Sequence, residues 1–412
     1  MDALARPEPP ARGFPTREYE HRLSRAQRAM ARDGLDLLLL TTEADVRWFS
    51  GFLTRFWQSP TRPWFLLVPA SGRPVAVIPS IGEACMRRTW VRDIRTWSSP
   101  DLADDGVGLL AATIGELAGT GATSGASAGS LAGVRVGTSM SAGTHLRMPL
   151  ADFERLRHAL PGSGWHDATA LLNALRAIKS EAEIAKIRHV CLAASRAFAA
   201  LPELVAIGMP DDEAFRAFTI RCLEEGVDEV GYLVGAAGEG GYGDIISPPS
   251  GRPLAAGDVL ILDTGCTFDG HFCDFDRNWA LGRAGTAASS AYRVVWEATE
   301  AGLEAAKPGV RCDELYRRMA RVMTPHALVT DGAGGGVGRS GHGLGTELTE
   351  PPSLMPGDRT ELRPGMVITL EPGFEFAPGK MMVHEENIRI TEGGCELLSV
   401  RAPAELPIVD GR

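Results

Sequence analysis

Residues 257–278 read GDVLILDTGCTFDGHFCDFDRN. The apolar run at 259–262 has the character of a buried strand, and it delivers Asp263 to a place where a carboxylate is costly without a partner. Phe268-Asp269-Gly270 supplies a turn, and the returning segment carries Asp274 and Asp276. A hairpin of this kind brings Asp263 and Asp274 onto one sheet face. Two carboxylates that close repel each other unless a cation lies between them.

Three further segments in the same half of the chain repeat this logic. GRSGHGLGTELTEPP (338–352) sets His342 between glycines, so that backbone can approach closely and the imidazole can project. LRPGMVITLEPG (362–373) is another apolar strand ending in an acid, Glu371, before a Pro-Gly turn. MMVHEENIRIT (381–391) places Glu385 within a strand pattern. Each segment alone has an ordinary explanation as a turn residue or surface side chain. The set of four acids and one imidazole has a different meaning, because two divalent cations would balance Asp263, Asp274, Glu371 and Glu385, with neutral His342 adding a nitrogen ligand. A water acidified by both ions would become a nucleophile near neutral pH.

Outward from this half, the chain of 412 residues is long enough for two domains. Residues 17–33 have amphipathic helical spacing closed by Gly34, and short strands are expected at 37–40, 64–68 and 74–78, an α/β pattern. GTGATSGASAGSLAG (119–133) is expected to be a surface loop. The seam is expected near 165–170, giving a tail at 1–16, a first domain at 17–167 and a second at 168–412. A helical pattern over 171–201 breaks near Lys179, where Ser180 and Glu183 form a capping-box signature. Beyond residue 225, short apolar runs between Gly and Pro turns predict an antiparallel sheet with helices at 286–305 and 311–323 on one face, so the whole is α+β.

The net charge of −10, from 52 acids and 42 bases with no dense basic cluster, excludes nucleic acid as a partner. Residues 1–16 lack the apolar core of a secretory signal or membrane span. Seven cysteines without a Cys-x-x-Cys pair predict reduced thiols and a cytoplasmic location.

The ordered motifs resemble the pita-bread metallohydrolases, which include prolidase, aminopeptidase P, methionine aminopeptidase and creatinase. LRAIKSEAEIAKIR (175–188), Asp274 eleven residues after Asp263, GHGLG, TLEPG and the Glu385 segment carry the resemblance over 168–400. A weaker likeness to the creatinase/prolidase N-terminal domain covers 18–165. It implies an α+β fold in which a C-terminal antiparallel sheet is covered by helices. It also implies that Asp274 and Glu385 bridge two metal ions, with Asp263 on one and His342 and Glu371 on the other. Mn²⁺ suits this oxygen-rich set best, with Co²⁺, Fe²⁺ or Zn²⁺ as alternatives, and Glu371 would accept the proton of the attacking water.

The resemblance implies a metal-dependent hydrolase of small C–N bonds, an Xaa-Pro dipeptidase or aminopeptidase, acting on short peptides as a homodimer. Three positions depart from the peptidase pattern. Thr349 and Ile246 stand where histidines are usual, and Val383 where an arginine is usual. They favour the alternative of a non-peptidase member, a creatinase-like amidinohydrolase or small-molecule hydrolase or lyase. A metal-stabilised scaffold without catalysis is a third reading, opposed by the five intact ligands.

Asp276 and Thr349 are assigned with Glu371 to the catalytic set. A structural alternative pairs Asp276 with Arg277 or Arg389. His384 is expected to point away from Glu385 in a structural role, and Glu347 and Glu350 to orient the imidazole. The aromatic stretch from Trp48 to Phe65 is expected to form core. The family dimer would instead allow Phe56-Trp57-Gln58 or Arg62 to reach a partner's site.

Overall fold

The computed structural model describes residues 6–121, 133–328 and 338–410. It divides into two compact units, Ala11–Arg176 and Met1–Pro10 with Ala177–Arg412.

In the first unit the helix Thr16–Asp33 ends at Gly34 in the left-handed conformation, φ 67°. A six-stranded sheet follows the order Asp93–Trp97, Val75–Pro79, Phe65–Pro69, Leu37–Leu40, Arg135–Thr138, Gly164–Asp167. The four leucines at 37–40 alternate between two cores. Leu38 and Leu40 join Trp48 and Phe52, while Leu37 and Leu39 join Leu110 and Ile114, which is why no polar residue interrupts the strand.

Trp48, Phe49, Phe52, Trp57, Trp64 and Phe65 are all buried, so the aromatic stretch is core. Arg147 fixes its loop by donating to the carbonyls of Trp57 and Arg62 at 2.8 and 2.9 Å. Trp57 therefore does not face outward. Phe56, 40% exposed, does. The Gly/Ser-rich segment expected as a loop begins inside the helix Val107–Gly121, and its residues 122–132 lie outside those described.

In the second unit Ser180 caps the helix Glu181–Ala199 with the expected box, its Oγ accepting from Glu183 N at 3.3 Å and its N–H donating to Glu183 Oε2 at 2.9 Å. Where a single sheet is expected, two five-stranded sheets form. One contains Ile408–Val409, Phe275–Leu281, Asp258–Phe268 and Glu229–Glu239, with His271–Phe272 paired to Asp258–Phe268. The other runs Glu350–Ser353, His342–Gly343, Val367–Leu370, Glu386–Ile390, Cys395–Leu397.

The helices Thr286–Ala305 and Cys312–Met323 pack with Val259 and Ile261 in one core. Glu181–Ala199 and Asp211–Glu224 pack with Leu260 and Leu262 in another. Helices thus cover the sheets on both faces of the Asp258–Phe268 strand, and the fold is α+β as expected. The seven cysteines are free. Among the described residues no helix is long and apolar enough to cross a membrane.

Candidate metal centre

The hairpin closes through Asp269 and Gly270, both at positive φ (49° and 73°), the two-residue turn whose twist suits antiparallel strands. Its register pairs Phe268 with His271, and Asp263 with Asp276. The strand does not stop at Asp263, as its sequence suggests, but continues to Phe268. Because side chains alternate, Asp263, Asp274 and Asp276 share one face. Asp274 is clamped through its peptide group. Its N–H donates to Asn387 Oδ1 at 3.0 Å, and its carbonyl accepts from Asn387 Nδ2.

His342 enters from the second sheet between Gly341 and Gly343. A Cβ on Gly341 would lie 2.3 Å from the Thr369 carbonyl, and one on Gly343 2.4 Å from that of Pro351, so only glycine permits this packing. The imidazole Nδ1 is 2.9 Å from the Gly343 carbonyl, which makes it the donor and leaves Nε2 as a free lone pair. Nε2 lies 3.4 Å from Asp274 Oδ2 and 4.0 Å from Glu371 Oε2. Glu371 begins the turn after Val367–Leu370, its N–H held by the Ser340 carbonyl at 3.0 Å. Glu385 lies just before Glu386–Ile390 rather than within that strand.

Asp274, His342 and Glu385 each offer a ligand atom within 4.8 Å of the other two, all buried. Asp263 Oδ1, Glu371 Oε2 and Glu385 Oε1 are shielded from solvent and lack a hydrogen-bond partner. Burial, with the Asp274 and Glu371 charges, pushes Asp263 well above the usual carboxylate range. Burial, then Asp274, Glu371, Asp263 and Asp276, does the same to Glu385. Asp274 rises to about 8 through burial, and Glu371 also rises, chiefly by burial. Burial lowers His342, keeping it neutral. Orphaned carboxylate oxygens around a neutral imidazole nitrogen are the donor set a divalent cation requires, so the residues fit a metal.

Asp276 is buried, and its Oδ1 accepts from Asn278 Nδ2 at 3.2 Å. Among the described residues the Asp276 carboxylate forms no ion pair with Arg277 or Arg389, although Arg277 Nη1 donates to the Asp276 carbonyl at 2.6 Å. Arg277 bonds Glu386 at 2.9 Å, and Arg389 bonds Glu181 and Glu396. His384 faces away from the cluster, with Nδ1 3.0 Å from Thr299 Oγ1 and Nε2 3.0 Å from Arg401. The charge of Glu350 acts on His342. Its carboxylate forms a buried ion pair with Lys179 at 3.0 Å and accepts from Thr346 N and Oγ1, both at 3.1 Å. Thr349 is exposed on the bend before Glu350, Ile246 is 74% exposed, and Val383 is buried.

Two residues absent from the sequence reading stand beside the cluster. Arg339 acts electrostatically on Asp274, Glu371 and His342, and among the described residues it has no hydrogen-bond or ion-pair partner. Tyr232 is half-buried, and the four carboxylates Asp263, Asp274, Glu385 and Glu371 act on its hydroxyl. An arginine three residues before His342 was visible in the sequence. Tyr232 carried no local signal.

Residues 185–392 match the Metallopeptidase family M24, and residues 22–178 the Creatinase/Prolidase N-terminal domain. A probable dipeptidase PepE of Mycobacterium tuberculosis is 29% identical over 403 residues, 97% of this chain and 99% of that protein. An Xaa-Pro dipeptidase of Pyrococcus horikoshii is 27% identical over 262 residues, 63% of this chain and 73% of the other. The crystal structure of dipeptidase PepE from Mycobacterium ulcerans superposes with a TM-score of 0.79 at 25% identity, covering 96% of this chain and 99% of that one. The sheets and their covering helices are therefore the pita-bread architecture behind a creatinase/prolidase-like N-terminal domain, and the chain belongs to the M24 family of metallopeptidases.

Proposed function

We propose that this protein is a dinuclear Xaa-Pro dipeptidase that works with Mn²⁺ as a cytoplasmic homodimer. The observation that carries this reading is the set of partnerless, shielded oxygens of Asp263, Glu371 and Glu385 around Asp274 and the free Nε2 of His342. These five residues would hold the ions. When bound, the ions polarise the scissile carbonyl and acidify water.

The chain's own groups do the rest. Glu371 takes the proton from the attacking water and returns it to the departing prolyl nitrogen as the C–N bond breaks. Asp276, directly across from Asp263 and bonded by Asn278, presents its carboxylate on the same face to a cationic substrate group or to the ions. Thr349, exposed beside Glu350, meets the substrate. Arg339 supports a dipeptide over a longer chain, because a guanidinium without a partner among the described residues suits a free carboxylate. The two PepE relatives and the Xaa-Pro dipeptidase support the substrate class.

In the homodimer, Phe56, Gln58 and Arg62, the last 5.2 Å over the Phe56 ring, are loop residues available to a partner's site. Activity of a folded, dimeric Phe56→Ala variant tests this, and unchanged kcat and KM would remove that role. The second reading, a non-peptidase small-molecule hydrolase or lyase, is favoured by Ile246, Thr349 and Val383 in place of the usual histidines and arginine.

Stripped protein reloaded with Mn²⁺, Co²⁺ or Zn²⁺ and given Xaa-Pro dipeptides and Xaa-Pro-Xaa tripeptides separates the readings. Metal-dependent release of proline by wild type, absent in Asp274→Ala, is expected. Metal bound without cleavage of any such peptide would make the second reading the better one.

A further inference from the structure

The peptidases' second-sphere donors are missing here, since Ile246 and Thr349 are both exposed and neither is an imidazole. The structure contains a different donor in a place where it can act. Tyr232 lies in the strand Glu229–Glu239 and pairs with Gly265 of the neighbouring strand. The hairpin register, which pairs Thr267 with Phe272 and Thr264 with Phe275, puts Asp274 opposite Gly265 on the other side. Tyr232, Gly265 and Asp274 therefore form one row across three strands.

The glycine is what makes this row usable. A Cβ on Gly265 would lie 3.2 Å from Tyr232 Cβ and 2.3 Å from Leu348 Cδ1. Tyr232 thus leaves the sheet on the face that holds Asp263 and Asp274, and it meets there the loop that carries Thr349. Its hydroxyl has no hydrogen-bond partner among the described residues, although the side chain is half-buried. Asp263, Asp274, Glu385 and Glu371 all act on that hydroxyl, which sets it beside the carboxylate cluster.

We infer that Tyr232 is a catalytic hydrogen-bond donor to the scissile carbonyl oxygen, taking the place of the imidazoles that positions 246 and 349 lack. This rests on the peptidase reading above. Water oxygen bonds to the carbonyl carbon, the C–N bond breaks, and the transferred proton passes through Glu371. The tyrosine keeps its own proton and donates only a hydrogen bond, which strengthens as the carbonyl oxygen gains charge.

The test is Tyr232→Phe, which removes one oxygen and leaves the ring that packs beside Gly265. Thermal melting and Mn²⁺ titration first establish fold and metal affinity, both expected to match wild type. For Xaa-Pro dipeptide, kcat is expected to fall on the order of 10²-fold with KM little changed. Affinity for a phosphinic, tetrahedral analogue of the dipeptide is expected to fall by a similar factor, while affinity for proline holds.

An active wild type with an equally active Tyr232→Phe would overturn this inference and leave the peptidase reading standing. So would a loss of activity matched by a loss of Mn²⁺ affinity, because the phenol would then be holding a ligand in place. A wild type that neither cleaves Xaa-Pro peptides nor binds the phosphinic analogue would overturn both.

Discussion

Glu385 and Glu386 are neighbours in sequence, both fully buried, and their surroundings are opposite. Glu386 is saturated. Its Oε2 accepts from Arg277 at 2.9 Å and from Ser399, and its Oε1 from Arg401 at 3.2 Å and the Ala402 N–H at 2.9 Å. Burial works against its charge, but Arg277, His384 and Arg401 outweigh that and hold it below the ordinary carboxylate range. Glu385 faces Asp263, Asp274 and Glu371 instead, has an orphaned oxygen, and is pushed far upward. A buried acid that the chain itself neutralises is architecture. One left among other acids marks the place where the neutralising charge comes from outside.

Substitutions on the two sides should therefore fail in different ways. The largest effect is expected on the cluster side. Asp274→Ala should abolish metal retention and turnover while the fold persists, as read by elemental analysis and circular dichroism. Next comes the saturated side. Glu386→Gln leaves the buried Arg277 without its carboxylate, while Arg401 keeps Glu300, and should cost about 3–5 kcal/mol in denaturant unfolding. Glu385→Gln in metal-free protein puts a neutral amide where burial and acidic neighbours already disfavour the carboxylate, and should cost little or stabilise. Equal destabilisation by both would erase the distinction.

Asn387 links the two sides, bonding Asp274's peptide group on one and donating its own N–H to Ser399 Oγ at 3.1 Å on the other. Asn387→Ala should weaken metal binding by about 10- to 100-fold, measured by competition with a chelator.

The titrations sharpen the contrast further. In metal-free protein Asp274 sits near 8 against an ordinary 3.8, so the folded state holds the extra proton between those values. Its contribution to stability is complete below about pH 4 and is lost as pH rises through about 8. Metal should cancel this decline, since the ion replaces the proton. His384 titrates in the other sense. Burial lowers it to about 3 from 6.5, so its contribution is present above about pH 6.5 and lost as pH falls toward 3. Melting temperatures of stripped and loaded protein across pH 4–8 check both signs. The His384 effect, a single uncharged side chain packed against Thr299 and Arg401, should be the smaller.

Much of the cluster was legible in the sequence, because Asp263 and Glu371 end apolar runs, Asp274 follows the Asp269-Gly270 turn and His342 stands between glycines. The direct pairing of Asp263 with Asp276 was also within reach, since the two-residue turn at Asp269-Gly270 sets the register of the whole hairpin. Tyr232 was not. Its strand reads EVGYLVGAAGE, with no alternation and no acid near the site, and only pairing with Gly265 brings it to the cluster. The partner of His342 was missed for a related reason. A backbone carbonyl, that of Gly343, holds Nδ1, and a backbone acceptor leaves no mark in the sequence, whereas Glu350 looked suitable and is engaged by Lys179. The second sheet escaped because its strands are two to five residues long and are joined by loops whose pairing is tertiary.

The most direct test is calorimetric titration of Mn²⁺ into stripped wild-type protein, with proline release from an Xaa-Pro dipeptide followed at each step. Two ions per chain are predicted, with activity rising as they bind, and Glu385→Gln should lose both signals while Glu386→Gln, where it still folds, keeps them. Undiminished proline release from exhaustively chelated protein, or no saturable Mn²⁺ uptake at all, would contradict the assignment of these five residues to a metal-dependent peptidase.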